Sequence, residues 1–281
     1  VHKKFPEWLH KRLVAGCGVT ETKKTIDGFE LCTVCEEARC PNLAECYQQK
    51  KATLLLLGPS CTRSCRFCAV GCVKNPSPPD SEEPNHVAEC VKKFGLRHVV
   101  LTMVTRDDLP DGGARHVAST LRAIRDTCES VTCEVLVSDF AGSFEAAKII
   151  LDEKPEVFSH NLETVRSLTP RIRSKATYET SLMLLSWVKK QNGEQMTKSG
   201  LMVGLGESRE EVLHTIDDLV RASIDVITIG QYMQPTPRQI PVQEWISPET
   251  FAEYEAYATR AGITQVLSGP FVRSSYGARL P

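Results

Sequence analysis

The sequence predicts an α/β fold: a partial (β/α)6 TIM-like barrel with N- and C-terminal extensions. Three observations carry this. Six short apolar runs alternate with amphipathic stretches along the chain. Most of the runs are nearly continuous in apolar residues, which suits strands buried on both faces of a parallel sheet. From the first run onward the chain is shorter than the ~250 residues of a full eight-unit barrel.

The elements follow in order. Residues 1–50 lack a strand period and carry three clustered cysteines, so they read as an N-terminal extension. Strands are expected at 52–57, 98–104, 133–137, 157–161, 196–203 and 226–232. Helices are expected at 83–94, 113–128, 143–153, 178–190, 209–222 and 248–261, the last with Ser247 as N-cap. Strand and helix in alternation imply right-handed βα units, which makes 51–262 the barrel. The run Asn75-Pro76-Ser77-Pro78-Pro79-Asp80 is a stiff linker, because proline fixes its backbone. Residues 263–281 are expected as a C-terminal loop over the barrel mouth.

Composition narrows the class. With 281 residues, 41% hydrophobic and 25% charged, the chain can bury a sizeable core, and wholesale disorder is excluded. Lys+Arg 34 against Asp+Glu 35 leaves a net charge of −1, so no broad nucleic-acid or membrane-surface footprint is expected. The apolar run around 54–57 is far short of the ~20 residues of a spanning helix. No signal peptide is read at the N-terminus. The chain opens on Val1, so it is expected to begin partway into a longer gene product.

Cysteine is the outlier, with 12 residues. Six lie in two tight clusters, a spacing that suits metal better than disulfides. Cys61, Cys65 and Cys68 form CxxxCxxC directly after the first strand, at the end of a parallel strand where chemistry is built. Three thiolates on one loop suit a cubane cluster with one iron left open. A zinc knuckle completed by Cys72 is the alternative. Cys35, Cys40 and Cys46 form CxxxxCxxxxxC upstream. Read alone, and with Cys32 nearby, that trio suits zinc and iron–sulfur equally. Cys17, Cys32, Cys72, Cys90, Cys128 and Cys133 are scattered and read mostly as buried apolar residues.

CxxxCxxC after the first strand of a βα barrel resembles the radical S-adenosylmethionine (SAM) superfamily. With CxxxxCxxxxxC upstream, the chain is similar to the lipoyl synthase family. The resemblance runs along the whole chain: PEWL at 6–9, VTRDDLPDGG at 104–113, HNLETV at 160–165, TKSGLMVGLGE at 197–207, IGQYMQPT at 229–236 and RSSY at 273–276. It implies insertion of two sulfur atoms, at carbons 6 and 8 of an octanoyl group held on a carrier-protein lysine. Those C–H bonds are unactivated, so SAM carries the radical chemistry and the protein orients it.

The resemblance also implies two 4Fe-4S clusters. Cys61, Cys65 and Cys68 would hold the SAM-binding cluster. Cys35, Cys40 and Cys46 would hold an auxiliary cluster that donates sulfur and is consumed, capped by Ser274 with Ser275 as fallback. Read alone, the two serines merely cap a turn. The implied SAM pocket takes Phe67, Thr105, Arg106, Asp107, Asn161, Glu163, Arg173 and Lys198. Gly204 and Gly206 would let the backbone approach adenosine, and Gln231 and Tyr232 would line the acyl tunnel or SAM pocket. Read alone, Asp107 and Asp108 cap a turn, and Gln231 and Tyr232 pack the rim.

Departures from the family pattern are Met103 for Ser, Ala141 for Arg, Pro237 for a basic residue and Gly277 for His. They touch carrier docking and fine positioning rather than cluster ligands. The implied partners are octanoylated lipoyl-carrier proteins, namely the glycine cleavage H protein and the acyltransferase subunits of 2-oxoacid dehydrogenases. An electron donor such as ferredoxin or flavodoxin and an iron–sulfur carrier protein complete the set. Free thiolates imply a reducing compartment, so the chain is expected in the cytoplasm, or in mitochondria if the source is eukaryotic.

Overall fold

A computed structural model describes residues 5–11 and 16–275. Its centre is one eight-stranded sheet. The strands are β1 (Cys32–Thr33), β2 (Thr53–Leu56), β3 (His98–Met103), β4 (Thr132–Leu136), β5 (Val157–Ser159), β6 (Met196–Val203), β7 (Val226–Gln231) and β8 (Gln265–Gly269), in that spatial order. Strands β2 to β8 pair in parallel, and β1 runs antiparallel to β2, with Cys32 opposite Leu55. Six helices return the chain between successive parallel strands: α1 (Glu83–Phe94), α2 (Ala114–Thr127), α3 (Phe144–Leu151), α4 (Tyr178–Gln191), α5 (Arg209–Arg221) and α6 (Pro248–Ala261). This is the expected six-unit partial barrel.

Local signals account for the helix boundaries. Ser208 and Glu211 close a capping box at the start of α5, and Ser247 accepts the Thr250 N–H at the start of α6. Gly95 ends α1 in the left-handed region, where a side chain would be strained. Val99, Leu101, Cys133, Val135 and Phe158 face the helices and pack with Val117, Leu121 and Ile150. Ile227 and Ile229 do the same in a second core with Val212, Ile216 and Phe251.

Two strands of this sheet depart from the sequence reading, and a separate pair, Ser60–Cys61 with Gly71–Cys72, forms in the cysteine loop. The C-terminal stretch, expected as loop from 263, first adds β8 alongside β7, in register from Gln265–Val226 to Gly269–Gly230. Its residues are all half-buried, so no apolar run marks it. The N-terminal extension adds β1, which at two residues has no period to read. The extension also holds a helix at Cys17–Gly28 and short helices at Val34–Glu37 and Leu43–Gln48. The sheet stays open between β1–β2 and β8. The segment after β8 crosses that opening, with Asn42 Nδ2 donating to the Phe271 carbonyl and Thr53 Oγ1 donating to Ser275 Oγ at 2.8 Å each. Expected features at Tyr276, Gly277 and the chain end lie outside the described residues. Among the described residues no helix is long and apolar enough to cross a membrane.

Candidate active site

Strand β2 ends in a strained turn. Leu57 is buried at φ +71°, a left-handed conformation unusual for a branched side chain, and Gly58 follows at φ +82°. Polar partners hold both backbone hydrogen-bonding groups of Leu57. Its N–H donates to Glu83 Oε2 at 2.8 Å, and its carbonyl accepts from Arg106 Nη1 at 3.4 Å. Glu83 is itself paired with His116, and Arg106 with Asp108. The turn launches the loop that carries Cys61, Cys65 and Cys68.

Arg63, inside that loop and almost wholly buried, fastens it to two neighbouring strand ends. Its Nη2 meets Asp107 Oδ1 at 2.7 Å, and its Nη1 meets Asp139 Oδ1 at 2.7 Å. Burial alone would raise the Asp139 carboxyl, but the guanidinium holds it below its ordinary value. Further ties run from Thr62 N–H to the Thr105 carbonyl, from Arg66 N–H to the Ile172 carbonyl, and from Gln239 Nε2 to the Cys68 carbonyl. The thiols receive backbone donors: Arg63 N–H on Cys61 Sγ and Ser174 N–H on Cys65 Sγ, both at 3.4 Å. Burial pushes the Cys68 thiol up to about 12 and raises Cys65 as well.

Cys35, Cys40 and Cys46 come from the two short helices and the turn between them. The three lie close enough to feel one another's charge, and Cys35 takes a backbone donor from Thr53 at the start of β2. Burial pushes Cys35 up to about 11. Among the described residues no three His, Cys, Asp or Glu side chains converge on a single ion position. The three thiols of each trio do line a common cavity, as a cubane requires, since each thiolate binds its own iron.

One cavity of about 340 Å³ is lined by the first trio and by two members of the second. Cys61, Cys65 and Cys68 line one part of it, and Cys35, Cys40, Ser274 and Ser275 line another. Of the expected SAM contacts, Phe67, Thr105, Asn161, Glu163, Arg173, Gln231 and Tyr232 also face this cavity. Asn161 Nδ2 donates to Glu163 Oε1 at 3.1 Å and lies 3.4 Å from Ser274 Oγ, while Asn161 Oδ1 is buried with no protein partner. A buried acceptor left open is costly until something donates to it, so the wall fits a ligand with N–H or O–H groups. Burial raises the Glu163 carboxyl. Arg173 Nη1 is engaged with Ser181 Oγ at 2.8 Å and the Leu162 carbonyl at 3.3 Å.

Five expected contacts are placed elsewhere. Arg106 is buried against Asp108 and Leu57, where it supports the turn. Asp107 is taken up by Arg63 and Lys175. Lys198 is buried in a pair with Glu134 at 2.9 Å. Gly204 and Gly206 do sit at positive φ, but a Cβ on Gly204 would strike Gln231 Nε2 and the Glu244 carbonyl rather than a ligand. Gln231 is correspondingly committed to the chain, its Nε2 to the Val203, Tyr232 and Glu244 carbonyls and its Oε1 to the Ile246 N–H. The Tyr232 hydroxyl donates to the Ile240 carbonyl at 2.8 Å.

Arg63, Asp139 and His160 line the cavity without having been singled out from sequence. The signal for Arg63 was available, as a charged residue enclosed between cluster cysteines. His160 Nδ1 donates to the Val137 carbonyl and Nε2 meets Ser181 Oγ. Burial holds the imidazole down at about 4, so it is neutral.

The radical SAM superfamily pattern matches residues 55–219. Among solved structures, methylornithine synthase superposes with a TM-score of 0.56 at 14% identity, over 81% of this chain and 72% of that one. Coproporphyrinogen III oxidase from Escherichia coli, a radical SAM enzyme, gives 0.53 at 14% identity, over 74% and 52%. These show the barrel. Lipoyl synthase of Protochlamydia amoebophila is 50% identical over 279 residues, 99% of this chain and 86% of that protein. Lipoyl synthase of Pelodictyon phaeoclathratiforme is 50% identical over 98% and 93%. The mitochondrial lipoyl synthase of Komagataella phaffii is 45% identical over 98% and 67%. Half of all positions shared over nearly the full length carries more than a fold: the chain belongs to the lipoyl synthase family of the radical SAM superfamily.

Proposed function

We propose that the two thiol trios divide the lipoyl synthase reaction between them across one cavity. The observation that carries this is the shared wall, with Cys61, Cys65 and Cys68 on one part and Cys35, Cys40 and Ser274 on another. As a lipoyl synthase the chain uses SAM and two 4Fe-4S clusters. Bound at the first trio, SAM supplies the radical that removes hydrogen from the acyl chain. The chain's own residues do the rest. Cys61, Cys65 and Cys68 hold the first cluster, and the Arg63 clamp sets the loop that presents it. Asn161 Oδ1 and the Glu163 carboxyl offer acceptors to the amine and hydroxyl groups of SAM. Phe67, Met202 and Leu136 give the cavity apolar surface for an eight-carbon chain.

Cys35, Cys40 and Cys46 hold the sulfur-donating cluster, with Ser274 as fourth ligand. Both Ser274 and Ser275 line the cavity, Ser274 Oγ with a long 3.4 Å bond from Asn161 and Ser275 Oγ with a 2.8 Å bond from Thr53, so Ser274 is the less firmly engaged. A serine oxygen is harder than a thiolate and exchanges more readily, which suits an iron that must leave. The substrate class is an octanoyl-lysine on a lipoyl-carrier protein, and the compartment is a reducing one.

The test is mass spectrometry of an octanoyl-lysine peptide. It is incubated anaerobically with the cluster-loaded protein, SAM and a strong reductant. The expected product gains two sulfurs as the reduced dithiol, and loses two hydrogens only when air oxidation afterwards closes the disulfide. An unchanged peptide, from protein that holds both clusters and cleaves SAM, would defeat the assignment of roles. Protein with Cys46→Ala should still cleave SAM but add no sulfur.

A further inference from the structure

A second cavity, of about 570 Å³, meets the Cys35/Cys40/Cys46 trio from another side. Cys35, Cys40, Thr53, Arg273 and Ser275 line both cavities, so the trio forms part of the partition between them. Cys46 lines only the second. Ser274 lines only the first. The second cavity runs beside the N-terminal starts of β2 and β3, past Ala52 and His98. It reaches the surface at Lys50, Lys51 and Arg97, all exposed. Its wall is cationic. Those three residues and Arg273 stand against the single carboxylate of Glu45, which is paired with Lys11.

We propose that this second cavity is the entry by which a preformed, thiolate-ligated 4Fe-4S cluster reaches the Cys35/Cys40/Cys46 trio. The assignment rests on the reading above, in which that trio holds a cluster consumed in turnover. In that reading the first cavity is shared by SAM, the acyl chain and both clusters. Cys46 does not line it. The second cavity leaves SAM and the first trio undisturbed. A cubane carrying four thiolates has a net charge of about −2, which the cationic mouth attracts. Delivery is ligand exchange with no change in iron oxidation state. Each of the three cysteine thiols and the Ser274 hydroxyl gives its proton to a departing thiolate. Three iron–cysteine bonds and one iron–serine bond form as four iron–thiolate bonds break, and four free thiols leave.

The test compares two backgrounds. In Cys61→Ala/Cys65→Ala/Cys68→Ala protein only the auxiliary trio can load, and in Cys35→Ala/Cys40→Ala/Cys46→Ala protein only the first trio can. Each is offered a synthetic 4Fe-4S cluster ligated by 2-mercaptoethanol. Uptake is followed by visible circular dichroism and by bound iron and sulfide. Lys50→Glu/Lys51→Glu/Arg97→Glu is then added to both backgrounds, with thermal melts confirming that the proteins stay folded. The expected result is uptake slowed by about tenfold or more in the auxiliary-only background, with unchanged uptake in the other. The same charge reversal should slow Cys46 alkylation by anionic iodoacetate far more than by neutral iodoacetamide. Equal uptake rates with and without the charge reversal would overturn the route. Absence of any cluster in the unreversed auxiliary-only protein would instead overturn the cluster assignment, and the route with it.

Discussion

Arg63 sits between two cysteines of one motif and grips two carboxylates that leave different strands, Asp107 after β3 and Asp139 after β4. Asp139 and Arg63 are both buried, so removing one partner strands a charge away from water. Breaking such a pair typically costs about 3–5 kcal/mol. Arg63→Met is therefore expected to lower the urea unfolding midpoint sharply. Arg63→Lys, which cannot present two forks at once, should recover only part of it. His160 gives a pH dependence of definite sign. Its folded value of about 4 lies below the ordinary 6.5, because burial disfavours the imidazolium. Between those values the unfolded chain binds the proton and the folded chain does not. Stability is thus complete above about pH 6.5 and falls as pH drops toward 4, by on the order of 3 kcal/mol. Urea midpoints measured across that window should slope in the parent and flatten in His160→Gln.

At the scale of elements, the strand-to-loop turn after β2 concentrates strain and its compensation. Leu57 at φ +71° packs against Gly113 at φ +90°, where a Cβ would lie 2.4 Å from Leu57 Cδ1. Gly113→Ala would strain its own backbone and push on Leu57, and is expected to cost about 2 kcal/mol or more. Glu83→Ala should cost about 1–3 kcal/mol, because the Leu57 N–H loses its acceptor and is buried without one. Both changes act on the turn that carries Cys61, so each should also slow loading of the first cluster while sparing the second. Metal content of single-trio proteins after timed reconstitution separates the two effects.

For the whole molecule, cluster loading and folding are linked. The trios draw on separate parts of the fold: one on β2 and the loop after it, the other on the N-terminal extension. Groups that bind only the folded state stabilise it. Loaded protein should therefore melt well above protein stripped by a chelator, and Cys35→Ala/Cys40→Ala/Cys46→Ala should lose part of that gain. Burial holds Cys35 at about 11 and Cys68 at about 12, so these thiols are protonated near neutral pH and must release protons when iron binds. Loading is accordingly expected to weaken as pH falls, with proton release measurable by a pH indicator in weakly buffered solution.

Much of this was legible along the chain. Repeating βα periodicity and apolar strands specify the six-unit barrel, because side-chain period and burial are local properties. The start of α6 follows from its cap residue, Ser247, in the same way. Both cysteine trios are visible because a cluster needs several thiolates on short, closely spaced loops. Tertiary structure decided what depends on partners distant in sequence. Strand β8 exists because β7 offers it an edge, and two-residue β1 exists because β2 does. Arg106, Asp107 and Lys198 look like ligands for an anion or an amine until their countercharges are seen beside them. Whether a charged side chain meets a ligand or its own protein is set by which strand ends the barrel brings together, and spacing along the chain carries no record of that.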